Sequence, residues 1–203
     1  MSKIQIQRMV ETGDFVKHAK PAIYSTKDPY QLFAVHRLTY ECYLSKKSDS
    51  PSLEGLWTPH PDFDQIPEST IYIAELEGKI VGSVSITMDG LRGLPLDSSF
   101  FRTCALVRTQ RSRLVQLWRL LIKESCPIKD SIRELLLATA AEHFRAQAIE
   151  TVLLFVQEDH MHTCTKFFEA TPIALVRSIP ETMDAPHVLL RCDLEKSADL
   201  PSA

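Results

Sequence analysis

Residues 150–157, ETVLLFVQ, form an almost continuous apolar run. A run this short, bounded by polar residues, reads as a strand buried on both faces, because a half-exposed strand would alternate. Such a strand needs cover on each side, which points to one sheet with helices on both faces. Cover is available in the neighbouring sequence. Ile132, Leu135, Leu136, Ala140, His143 and Phe144 mark one apolar helix face just before it, and Ser131-Ile132-Arg133-Glu134 has the form of a capping box. After it, Asp159 opens a short helix running through Phe167 and Phe168.

The remaining segments supply the rest of the sheet. STIYIAELEGKIVGSVSITM is two alternating runs joined at Glu77-Gly78, an antiparallel hairpin. PAIYST reads as a short strand; Asp28 then caps a helix with Pro29 at its first position and Leu32, Val35, His36, Tyr40 and Tyr43 at helical spacing. TCALVRTQ has strand character, whereas Leu114, Leu117, Trp118 and Leu121 follow helical spacing and predict a turn of helix. TPIALVRSI and HVLLRCDL close the chain as strands. The order predicts an α+β (mixed α/β) fold, a single twisted mixed sheet of about six to seven strands with helices on both faces. In the 203-residue chain this domain spans 21–194, after an N-terminal extension (1–20) and before a flexible tail (195–203). A ligand cleft is expected beside the carboxyl ends of the strands around the crossover helix, near Gln110 to Arg113 and Phe155 to Glu158.

Charge narrows the function. Residues 102–123 hold five arginines and one lysine without an acid, while 41–90 hold nine acids against three lysines; the whole chain is at −3. A nucleic-acid binder shows a basic excess over the domain as well as a patch, so the pattern fits internal pairing or a compact anionic ligand instead. The five cysteines are dispersed without CxxC spacing, the usage of a reduced, cytoplasmic protein. No segment approaches the roughly 18 uninterrupted apolar residues of a membrane span. His160, His162 and Cys164 do not complete a metal-ligand set, so no metal is expected.

Five phrases occur in an order that resembles the GNAT acyltransferase fold, specifically the branch of N-acyl amino acid synthases and acyl-homoserine-lactone (autoinducer) synthases. YSTKDPYQLFAVHRLTYECYL resembles its first helix with an LRYxVF-like phrase, and HPDFD its acidic loop. GKIVGSVSI resembles GxxVGTxRL, LPLDSSF the following loop, and TQRSRLV its ExSRL strand. The departures are charged positions: the family arginines fall on Thr39 and Ser85, and the strand glutamate on Gln110.

The resemblance implies an N-acyltransferase that moves a fatty acyl group from a thioester to a primary amine, an amino acid above all, by direct attack. It implies no tightly bound cofactor, with an acyl-phosphopantetheine thioester as co-substrate. Ordinary acetyltransferases cradle a pyrophosphate with a glycine-rich turn at a helix N-terminus. Here that helix begins CPIKDSIRE, with Asp130 and Glu134 already at its positive end. Acyl carrier protein therefore suits the chain better as donor than coenzyme A; a coenzyme A-dependent N-acetyltransferase and a non-catalytic carrier-binding relative are the alternatives. Asp62, Asp64 and Gln110 are the expected catalytic residues, with His60 a further base by its ordinary pKa. Arg113, Ser112, Arg37 and Phe155 are expected to bind substrate, and Arg111 and Arg119 to dock the carrier.

Overall fold

The computed structural model describes residues 20–43, 55–110, 113–176 and 187–194. Arg111, Ser112 and the terminal segments 1–19 and 195–203 lie outside the described residues, so the expectations placed on them are not addressed by the structure.

Seven strands form one sheet in the order β1-β2-β3-β4-β5-β7-β6. They are β1 (Ala22–Thr26), β2 (Ser69–Leu76), β3 (Lys79–Met88), β4 (Leu114–Ile122), β5 (Thr151–Gln157), β6 (Thr171–Val176) and β7 (His187–Asp193). Only β4 and β5 run parallel among the described pairs. The helices are α1 (Pro29–Tyr43), α2 (Asp97–Gln110), α3 (Lys129–Ala146) and α4 (Glu158–Phe168), with a 3-10 turn at Pro61–Phe63. Strand β5 is buried as its sequence predicts: Val152, Leu154 and Val156 face α3 and α4, and Leu153 faces α2. On the first side Ile132, Leu136, Ala140 and Phe144 of α3 meet Cys164 and Phe168 of α4. On the other, Leu32 and Val35 of α1 lie on Ile71 and Ile73, and Cys104 and Val107 of α2 on Leu153 and Leu189.

Local chemistry explains most boundaries. The Asp28 carboxylate accepts from the amides of Tyr30 (2.7 Å) and Gln31 (3.2 Å), the cap that α1 requires. Glu77 and Gly78 turn the hairpin at φ 53° and 74°, the conformation that matches the twist of its strands. Helix α3 departs from expectation: it starts at Lys129, two residues before the capping box, and its N-cap Ile128 makes no side-chain cap.

The arginine-rich stretch inverts the expected order. Residues 103–110 are helix, not strand, and residues 114–122 are strand, not helix. Phe100, Cys104 and Val107 recur at helical spacing and seat α2 on the sheet. Strand β4 is central and buried on both faces, so its apolar residues carry no period of two, and helical spacing within them is coincidental. Gln110 is therefore the last residue of a helix, where its side chain accepts from Arg191 (3.0 Å), and not a strand residue opening on a cleft.

Candidate active site

The parallel pair is the centre of the site. Pairing of β4 with β5 runs from Leu114–Thr151 to Leu117–Leu154 and stops, although both strands continue. From Trp118 onward the strands part, and an edge of backbone donors and acceptors faces the gap. Just there β4 bulges. Ser83 pairs with Leu121 and Ser85 with Trp118, so two steps on β3 span three on β4. The extra residue is Arg119, at φ 52°, a left-handed conformation that costs a non-glycine residue energy and is held by its surroundings. The bulge turns Trp118 and Arg119 to the same face, under α1 and the 3-10 turn.

What holds Arg119 is a set of polar contacts in a dry setting. Its guanidinium donates to both Asp64 oxygens (2.6 and 3.0 Å), to Ser85 Oγ (3.0 Å) and to Thr58 Oγ1 (3.1 Å), and its Cζ lies 4.6 Å from the Trp118 ring centroid. The Arg119 side chain is fully buried and Asp64 is 3% exposed. Asp64 also takes His36 Nε2 of α1 at 2.7 Å. Burial pushes the Asp64 carboxyl up, but the hydrogen bonds from His36 and Arg119 and the Arg119 charge outweigh it, leaving the group below its ordinary value. Trp118 is fixed in turn, its indole N–H donating to Thr87 Oγ1 (3.0 Å). The His60 ring packs edge-on against Trp118 at 5.4 Å.

Across the gap, Phe155 of β5 stacks on His187 of β7 (5.1 Å) and meets Phe100 of α2 edge-on (5.5 Å). Tyr43, at the end of α1, also stacks on His187 (6.4 Å). Burial, with Cys42 nearby, keeps its phenol protonated well above the usual range. The gap is thus walled by aromatic residues on the α1 and α2 face.

Of the residues that the sequence singles out, Asp64 and Phe155 are at this centre. Arg119 is too, but a buried guanidinium held by Asp64, Ser85 and Thr58 cannot dock a carrier protein, so that expected role is corrected. Asp62 is exposed on the outer side of the 3-10 turn. Arg113 stands at the amino end of β4, exposed, its guanidinium 3.4 Å from the carbonyls of Gln147 and Ala148 at the end of α3. That is a favourable place for a cation, and it is at the opposite end of β4 from the gap. Arg37 is exposed and lies beside Glu41 (3.7 Å). Burial, then the Arg119 charge, lower His60 to about 4, so it is neutral at physiological pH and a weak base.

The sequence places His36 and Trp118 only as helix-spaced residues and does not single out Thr58, so none of the three is expected in the site. One signal for Arg119 was present: Gln116-Leu117-Trp118-Arg119-Leu120 repeats the ExSRL spacing six residues beyond TQRSRLV, inside the actual strand. Read there, the arginine of the phrase is Arg119, and it rests on Ser85, where the hairpin phrase has its own arginine.

A family model described as the N-acyl amino acid synthase FeeM matches residues 34–193. The chain belongs to that family. It is an acyltransferase of N-acyltransferase type, with the GNAT fold. Solved structures of similar fold include FeeM itself, an N-acyl amino acid synthase from uncultured soil microbes, at 17% identity over 87% of this chain and 92% of that one, TM-score 0.68. Escherichia coli ElaA follows at 12% identity, 86% and 99% coverage and TM-score 0.59. The acyl-homoserine-lactone (AHL) synthase LasI matches at 14%, 87% and 91%, TM-score 0.58. No curated protein sequence matches the chain. No helix among the described residues is long and apolar enough to cross a membrane.

Proposed function

We propose that this FeeM-family chain transfers a fatty acyl group from the phosphopantetheine thioester of acyl carrier protein to the amino group of an amino acid, in the cytoplasm. The observation that carries the reading is the parting of β4 and β5 beyond Leu117–Leu154. An extended phosphopantetheine arm can enter such a gap and hydrogen-bond the free edge of β4 as a strand would, while the acyl chain lies among Phe155, Phe100 and Tyr43. Backbone N–H groups at the bulge then face the thioester oxygen as it gains negative charge.

In the step itself, the amine nitrogen attacks the thioester carbon, the C–S bond breaks and the thiolate leaves with a proton. The ammonium must lose its proton first. His36 suits that work better than a lone carboxylate: Asp64 accepts from its Nε2 and leaves Nδ1 as the acceptor, the arrangement of a histidine–carboxylate dyad. Asp64 itself is committed to Arg119 and positions it. A carrier donor is favoured by the start of α3, where Asp130 occupies the positive end of the helix and pairs with Arg133 (2.7 Å). A pyrophosphate would meet that carboxylate.

Mass spectrometry of lipid extracts from a bacterial host, with and without the expressed chain, tests this. A new N-acylated amino acid present only with the wild-type chain is expected. Soluble, folded chain with no such product, in the host and with purified acyl carrier protein, would sink the reading.

A further inference from the structure

A second cleft, of about 690 Å³, lies between the 3-10 turn and the loop that follows β3. Asp62, Ile66, Pro67, Glu68, Leu91 and Arg92 line most of it. We propose that it binds the acceptor as a zwitterion: Arg92 takes the carboxylate of an α-amino acid, Asp62 and Glu68 its ammonium, and the apolar wall its side chain. This rests on the reading above and assigns its acceptor a place and the residues that hold it.

Position is the first argument. The cleft adjoins the start of β2 and the end of β3, beside the start of β4, since Asp89 N donates to Leu114 O (2.9 Å). The donor gap opens at the other end of β4. The 3-10 turn touches both places: Asp62 lines the cleft, while the flanking His60 and Asp64 touch Trp118 and Arg119. An acceptor held there approaches the bulge from the end opposite to the donor.

Rigidity is the second. The loop carrying Leu91 and Arg92 is clamped at both ends by Arg108, which donates to both oxygens of Asp89 (2.7 and 2.7 Å) and of Asp97 (2.7 and 2.6 Å). Gly93 sits at φ 70°, and a Cβ there would collide with the Asp97 carboxylate. On the facing wall, Lys27 Nζ donates to the carbonyls of Ile66 and Ser69, both at 2.8 Å. Yet this tightly held loop presents a fully exposed leucine beside an exposed arginine.

Charge is the third. Two carboxylates alone would select any cation, and an arginine alone any anion. Both signs within one cleft, with apolar surface between them, select a ligand that carries both.

Calorimetry on the full chain decides it, with L-leucine and L-phenylalanine as probes, each beside its methyl ester and its decarboxylated amine. The free amino acids should bind about tenfold or more tighter than either analogue, as loss of a charge-assisted pair implies. Arg92→Ala should bring amino acid binding down to the amine's level and leave amine binding unchanged; Arg92→Lys should recover part. Arg92 is exposed, so these variants should keep the fold. Equal binding of acid, ester and amine, no binding of either amino acid, or indifference to Arg92→Ala would overturn the assignment. If binding discriminates as stated but extracts contain no N-acylated amino acid, the acyl-transfer reading fails and the cleft stands. If product forms with a KM for the amino acid that is unmoved by Arg92→Ala, the cleft fails and the reading stands.

Discussion

Asp64 stands between the Arg119 guanidinium and the His36 imidazole, and of the two only His36 is partly accessible to solvent. Arg119 is fully buried, so Asp64→Asn leaves a guanidinium without its counter-charge. Breaking such a pair from one side costs roughly 3–5 kcal/mol, which urea unfolding at neutral pH should read as a lower midpoint with unchanged slope. The Asp64 carboxyl lies below its ordinary value of 3.8 in the fold, so its contribution is present above that pH and lost as pH falls through the folded value. The gap between wild type and Asp64→Asn should therefore narrow below about pH 4. His60 acts earlier on the same axis. Its folded value is about 4 against an ordinary 6.5, so protonation favours the unfolded chain and stability falls as pH drops from 6.5 towards 4. His60→Gln should show a shallower decline over that window, while His143, also lowered by burial, titrates alike in both proteins. Equal slopes would mean that His60 is not held neutral by its packing on Trp118.

At the level of elements, α2 and the loop before it are joined through Arg108, whose four hydrogen bonds hold two carboxylates less than a quarter exposed. Arg108→Ala should cost about 2 kcal/mol and should speed amide exchange across residues 89–97 far more than in α3. Arg108→Lys should not restore protection, because an ammonium cannot present a fork to two carboxylates at once. Protection unchanged in Arg108→Ala would show that the loop is held by other means. The same region marks where the sequence stopped being readable. Strand β5, the hairpin and the Asp28 cap are written in local chemistry: a continuous apolar run, a turn that tolerates positive φ, and a carboxylate at a helix start. Helix α2 and strand β4 are not. Thr103–Gln110 is rich in β-formers but is held helical by packing of Phe100, Cys104 and Val107 on the sheet, and β4 is buried on both faces, which erases its period. The site followed the same rule. Asp64 could be found in its loop, but Arg119 could not be placed until the strand and its bulge were known, since one residue of shift reverses which face a side chain takes.

For the whole molecule, the order of events depends on whether the protein takes the acyl group itself. A covalent intermediate would need a nucleophile beside the gap, and the buried thiols are poor candidates: burial first, and nearby carboxylates at two of them, raise Cys104, Cys164 and Cys192 to about 12. The gap opens at the carboxyl end of the parallel strands and the zwitterion cleft at the amino end of β4, so neither substrate need leave before the other arrives. The proposed arrangement of the two substrates therefore predicts direct transfer in a ternary complex. Initial rates measured with varied acyl carrier protein thioester, at several fixed amino acid concentrations, should give intersecting reciprocal lines. Intact-protein mass spectrometry after incubation with thioester alone should show no acyl adduct. Parallel lines together with an adduct would place a nucleophile in the gap and require a two-step transfer. With direct transfer, Asp64→Asn should lower kcat through a displaced Arg119, whereas Arg92→Ala should raise KM for the amino acid and leave KM for the thioester unchanged. The two substitutions then separate the two ends of the molecule in a single kinetic experiment.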